Sequence, residues 1–145
     1  MKFSFKNDYS EGCHPKILEA LSQYNLDQQN GYGLDIYSEN TANIIREKSK
    51  SPESKVHLVS GGTQANLIVI SSILRPHESV VSANTGHIFT NETGAIEATG
   101  HKVHGVETKD GKLRPEDIQN VLDVHTNVPH QVKQKVVYIS NSTEV

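Results

Sequence analysis

The stretch VHLVSGGTQANLIVISSIL, from Val56 to Leu74, runs a short apolar segment into Gly61-Gly62-Thr63 and then into an apolar segment with helical spacing. Glycines at the carboxyl end of a strand let backbone N–H groups approach a ligand closely and accept unusual dihedrals. Thr63 and Gln64 then open a helix, where free N–H groups and the positive dipole end favour an anion. A phosphate suits this arrangement, seated on Gly62, Thr63 and Gln64 with the Thr63 hydroxyl adding a hydrogen bond. The spacing is neither a nucleotide P-loop, whose lysine is missing, nor G-x-G-x-x-G. A plain strand-to-helix turn capped by Thr63 accounts for the same residues.

A second group follows in ANTGHIFTNETGAIEATGHKV. His87 comes after the next expected strand, so it belongs on the same sheet edge as the glycine turn. There it can stack on a planar cofactor, act as a base, or simply be exposed. Glu92, five residues on, can pair with it or cap a local helix. The other histidines form no metal pattern. His125 and His130 need further ligands, and His101 and His104 flank a strand without forming a pair. Cys13 is given no nucleophilic role. Lys102, Lys109 and Lys112 read as solvated surface charge.

The elements that must position these residues alternate regularly. Helices are expected from Pro15 through Leu21 and over SENTANIIREKSKSP, with the glycine-rich NLDQQNGYGLDIY as a loop between them. Val56–Val59 reads as a buried strand, Gln64–Leu74 as a helix stopped by Arg75-Pro76, and ESVVSA as a strand. A loop that can open into a short helix through ETGAIEATG leads to strand KVHGVE and the Asp110-Gly111 turn. A helix led by Pro115 and a buried strand KVVYISN complete the order. Such alternation implies an α/β fold, a mostly parallel sheet with helices on both faces, after a helical N-terminal segment. The division expected is residues 1–52 for that segment and 53–145 for the sheet domain. The chain stops just past a strand whose following loop should lie on the functional edge, so it reads as a fragment or truncated copy.

The 145 residues suit about one domain, and an apolar content of 34% suggests that part of the core comes from elsewhere. A net charge of −3 with scattered Lys and Arg argues against a nucleic-acid surface. No apolar run is long enough to span a membrane, and the N-terminus lacks a signal-peptide core. With Cys13 as the single cysteine no internal disulfide forms, which fits a cytoplasmic setting.

The series NDYSEG, GYGLDIYSEN, SGGTQANL, RPHESVVSANTGHI and ETGAIEATGHKV resembles the N-terminal part of low-specificity threonine aldolases and related β-eliminating lyases. These are pyridoxal-phosphate enzymes of the aspartate aminotransferase-like fold, fold type I. The resemblance implies that Gly61, Gly62, Thr63 and Gln64 hold the cofactor phosphate. It implies that His87 stacks on the cofactor, with Glu92 beside it or supporting it, as the catalytic pair. Asn7 and Ser10 fall near the motif that touches the substrate carboxylate, although Asn7 stands where the family has a serine. The segment ending in Tyr37 matches one near the subunit interface. The implied reaction cleaves a 3-hydroxy amino acid, L-threonine, to glycine and an aldehyde, in a homo-oligomer (dimer or tetramer). The family's Schiff-base lysine and its aspartate for the pyridine nitrogen lie further along, so these 145 residues alone should be inactive. The alternatives are a non-catalytic α/β remnant or interaction domain, and another pyridoxal-phosphate lyase of the same fold.

Overall fold

The computed structural model describes residues 3–4 and 9–141. The chain divides into two compact units, Met1–Leu58 and Val59–Val145.

In the first unit, helix α1 spans Pro15–Tyr24 with its proline in the first turn, where the missing N–H costs nothing. The His14 ring accepts from the Lys16 N–H at 3.2 Å and caps it. Its apolar positions Ile17, Leu18 and Leu21 are exposed. Helix α2 spans Ile36–Lys48, two residues earlier than the reading from Ser38. The reason is the Asp35 cap, whose carboxylate accepts from the Ser38 N–H at 2.8 Å and from its hydroxyl at 2.6 Å. The Ser38 bonds hold the Asp35 pKa below the usual carboxylate range. From the first turn of α2 the Tyr37 hydroxyl donates to Asp27 of the connecting loop at 2.5 Å, and that bond pushes the Tyr37 pKa up to about 12. Tyr32, Gly33 and Leu34 of the same loop line a cavity of about 760 Å³ with Ser38, Glu39 and Arg46.

The strand expected over Val56–Val59 does not form. Apolar side chains alone do not make a strand; it needs a neighbour to complete its ladder, and these residues pair with none of the described strands. Leu58 and Val59 are exposed rather than buried.

The second unit follows the expected alternation. Helix α3 (Gly62–Ile73) leads to β1 (Glu78–Ala83), a short α4 (His87–Thr90) and a 3-10 turn over Glu97–Thr99. Then come β2 (Val103–Val106), α5 (Pro115–Val124) and β3 (Lys133–Val137). The three strands form one sheet in the order β2-β1-β3, and both pairings are parallel. Val80 sits opposite Val103 on one side and Val136 on the other. β1 is buried along its whole length, as a central parallel strand covered on both faces should be. The core gathers Ile70 and Leu74 from the end of α3 with Val80, Ile88, Ile96 and Val103, and Val136 and Tyr138 pack against it. β3 differs from expectation. It begins earlier, ends at Val137, and exposes alternate residues instead of being buried. It lies at the edge of the sheet, with no described strand beyond it.

His104 of β2 is buried, bonds Ser79 Oγ at 3.1 Å and meets the His125 ring edge-on at 4.6 Å. Gln134 of β3 approaches the same ring nitrogen at 3.3 Å. Burial, then the neighbouring His125 and Lys102, push the His104 pKa down to about 4. The fold therefore favours the neutral ring, and the unfolded chain binds the extra proton between about pH 6.5 and 4. Stability is expected to fall as pH drops through that window, by on the order of 2–3 kcal/mol from this group. Urea midpoints at pH 7 and pH 4.5 check this, and His104→Gln should flatten the difference.

Candidate functional site

The glycine turn opens α3 as expected, but for a different local reason. Gly61 has φ 176° and ψ 176°, extended backbone open to any residue, so its dihedrals do not call for glycine. What the two glycines provide is access. A Cβ at Gly61 or Gly62 would meet nothing within 4 Å. No side chain caps the helix from Gly61, which sets aside the turn capped by Thr63. Instead the Gln64 side chain reaches back, its Oε1 accepting from the Ser60 N–H at 2.8 Å and from the Ser60 hydroxyl at 2.9 Å. That ties the turn shut from one side while the first-turn amides of Gly62, Thr63 and Gln64 keep no partner within the helix. The first turn carries no acidic side chain to compete for them. The residues of the turn, Gly61 to Gln64, are exposed.

His87 opens α4 just beyond the carboxyl end of β1. Its backbone N–H donates to Ser140 Oγ at 3.1 Å, which fixes the start of α4 to the chain after β3. The side chain is 40% exposed, and its Nε2 lies 3.8 Å from Glu92 Oε1. Glu92, in contrast, is fully buried at its side chain. The Glu92 carboxyl accepts from Asn66 Nδ2 of α3 at 2.5 Å, across 26 residues of sequence. That bond brings the helix of the glycine turn to the loop that follows His87. Reasoning from the sequence missed Asn66 and Ser140. Asn66 stood inside the quoted SGGTQANL, and a polar amide on an apolar helix was the available signal.

Gly86 caps α4 at ψ 144°, and a Cβ there would fall 2.1 Å from Ser82 Oγ and 3.1 Å from the Ala83 carbonyl oxygen. Both are held in the buried strand β1. Gly86→Ala should therefore shift His87 and cost about 1–3 kcal/mol, the usual range for overpacking. Chemical denaturation of the variant checks the stability, and loss of the His87–Ser140 amide protection in hydrogen exchange checks the shift. Next to this cap, Ala83, Gly86, Lys112, Tyr138, Ser140 and Asn141 line a cavity of about 410 Å³ at the carboxyl ends of β1 and β3.

Of the substrate-side residues, Asn7 lies outside the described residues. Ser10 belongs to the first unit, where its hydroxyl donates to the Glu11 carboxylate and lowers the Glu11 pKa. Gly61, Gly62, Thr63, Gln64, His87 and Glu92 all belong to the second. Among the described residues no group of three or more His, Cys, Asp or Glu could hold a metal ion.

The family model described as beta-eliminating lyase matches residues 10–145. A low specificity L-threonine aldolase of Pseudomonas sp. (strain NCIMB 10558) is 30% identical over 143 residues, which cover 97% of this chain and 41% of that protein. One from Pseudomonas aeruginosa is 27% identical over the same span. The solved structure of a Leishmania major threonine aldolase matches at a TM-score of 0.90 and 51% identity, covering 99% of this chain and 42% of that one. The chain spans about two fifths of the length of these relatives.

Proposed function

The chain belongs to the beta-eliminating lyase family, and on that premise we propose that it is the phosphate-holding part of a threonine aldolase-like, pyridoxal-phosphate-dependent lyase. Its fold is the N-terminal part of fold type I. The reaction proposed splits a 3-hydroxy amino acid, L-threonine, into glycine and an aldehyde. The observation that carries this is the uncapped glycine turn held, through Asn66 and Glu92, to the loop that bears His87.

The fit to the cofactor rests on that turn. The space a Cβ would enter at Gly61 and Gly62 is open, as a phosphate requires. The amides of Gly62, Thr63 and Gln64 would bind the phosphate, with the Thr63 hydroxyl beside them. Pyridoxal phosphate supplies, when bound, the electron sink for the cleaved Cα–Cβ bond. His87 offers a half-exposed imidazole for stacking on the cofactor ring, and its ring nitrogens can hold the proton taken from the substrate hydroxyl. Losing that proton turns Cβ into the aldehyde carbonyl, and Cα gains a proton to become glycine. Glu92 faces the His87 ring from its buried side, with Oε1 3.8 Å from Nε2. Asn7 and Ser10 are proposed for the substrate carboxylate.

We assign no lysine of this chain to the cofactor, because Lys102, Lys109 and Lys112 are exposed and none stands at the family position. A homo-oligomer, dimer or tetramer, is proposed, and the exposed apolar positions of α1 support it. So is a cytoplasmic location. No helix among the described residues is long and apolar enough to cross a membrane.

The test is aldehyde release from L-threonine with pyridoxal phosphate added, for the 145 residues alone and for a longer polypeptide that carries them. Activity in the longer form alone is the expected result. Binding without threonine cleavage would point to another lyase of the fold, and no binding in either form to a non-catalytic domain.

A further inference from the structure

Asn66 sits four residues into α3 from Gly62, about one helical turn past the phosphate turn. Its amide is the hydrogen bond that anchors the Glu92 carboxyl. Glu92 Oε2 is buried and bonded to nothing, and His87 Nε2 at 3.8 Å is beyond hydrogen-bond reach of Oε1. The Asn66 bond at 2.5 Å is what remains to fix the rotamer of a fully buried carboxyl. A neutral amide is suited to this task. A lysine or arginine at the same place would neutralise the carboxylate and compete with His87 for it, whereas an amide holds the group and leaves its charge available.

We propose that Asn66 is a positioning residue, which locks Glu92 with Oε1 turned to His87 and so sets the histidine loop in register with the phosphate turn. This rests on the cofactor reading of the glycine turn. Its consequence is a link between two tasks. Cofactor binding at the start of α3 and proton handling at His87 share one part-buried hydrogen bond.

Three variants test it in the longest polypeptide that carries this chain. Asn66→Asp keeps the shape, removes the donor and sets a second carboxyl against Glu92. Glu92→Gln keeps the Asn66 bond and removes the charge. The double variant, Asn66→Asp with Glu92→Gln, remakes the bond with donor and acceptor exchanged. Asn66→Asp is expected to weaken pyridoxal phosphate binding about tenfold or more, the scale of losing a hydrogen bond to a charged group. The double variant should return that affinity to within about threefold of the parent, while its kcat stays low, as in Glu92→Gln, because no carboxylate faces His87. A purely structural bond would instead let the double variant recover affinity and kcat together. That result, or a double variant no better than Asn66→Asp, overturns the proposal. Thermal midpoints of the same four proteins separate this from a failure of the cofactor reading. If the parent binds no pyridoxal phosphate, the cofactor reading falls, while a midpoint lowered in Asn66→Asp and restored in the double variant still marks the bond itself.

Discussion

Gly62→Asp is expected to abolish pyridoxal phosphate binding without unfolding the protein. The two halves of that result come from one feature, the positive end of α3. A carboxylate in the first turn of a helix is favourable, by about 0.3–1 kcal/mol, and leaving glycine improves helix propensity as well. Position 62 has room for the side chain, since a Cβ there meets no atom within 4 Å. The same carboxylate stands where the phosphate must sit. Two like charges about 4 Å apart repel by about 4 kcal/mol at a surface-like effective dielectric, enough for at least a hundredfold loss of affinity. The thermal midpoint should therefore hold or rise while cofactor affinity collapses. If Gly62→Asp lowered both equally, the turn would be a structural glycine and not a phosphate seat. Gly62→Ala is the control, which adds a methyl group without charge and should cost far less affinity.

Ile96→Ala carries the second large expectation. Ile96 is fully buried in the core with Val80, Ile88 and Val103, and it lies four residues past Glu92 in the same loop. Removing its branched side chain should cost about 2–5 kcal/mol, the transfer loss plus a cavity. A unit of this size should lose roughly 10 °C or more in thermal midpoint. The loss should also reach the site, because the loop anchored by Ile96 carries the carboxyl that faces His87. In the longest polypeptide that carries this chain, activity below the melting transition should fall in Ile96→Ala more than in Ile73→Ala, where the side chain is 55% exposed and its loss should stay near 0.5 kcal/mol. Equal effects of the two changes would show that the loop does not depend on the core beneath it.

The parts of this fold that the sequence declared are those set by neighbours along the chain. Pro15 and Pro115 marked helix starts, Arg75-Pro76 marked a stop, and ESVVSA matched the bounds of β1, whose small and β-branched residues Ser79, Val80, Val81, Ser82 and Ala83 are all buried. The expected parallel sheet followed from that alternation. What escaped depends on partners distant in sequence. Val56–Val59 has the composition of a strand but no ladder to join, and composition does not reveal that. The segment KVVYISN looked buried because Val136, Val137, Tyr138 and Ile139 are apolar, while the strand that forms, Lys133–Val137, lies at the sheet edge and exposes alternate residues. His104 and His125 looked separate at 21 residues apart, yet α5 returns over β2 and sets their rings edge to face. In the site, Gly61–Gln64, His87 and Glu92 were visible by type and motif. The Asn66–Glu92 bond was not, since a contact between a helix and a loop follows no local period. His87 and Glu92 do come close, but with one side chain half-exposed and the other buried, a contrast that spacing alone does not carry.

The central claim is that the glycine turn binds a phosphate, and the most direct measurement compares two ligands on one protein. Equilibrium binding of pyridoxal phosphate and of pyridoxal, which differs by the phosphate alone, should be read on the longest polypeptide that carries this chain, before and after Gly62→Asp. Pyridoxal phosphate is expected to bind at least about tenfold more tightly than pyridoxal, and Gly62→Asp to remove the difference. Equal affinity for the two ligands in the parent protein, or a preference for the phosphate that survives Gly62→Asp, would contradict it.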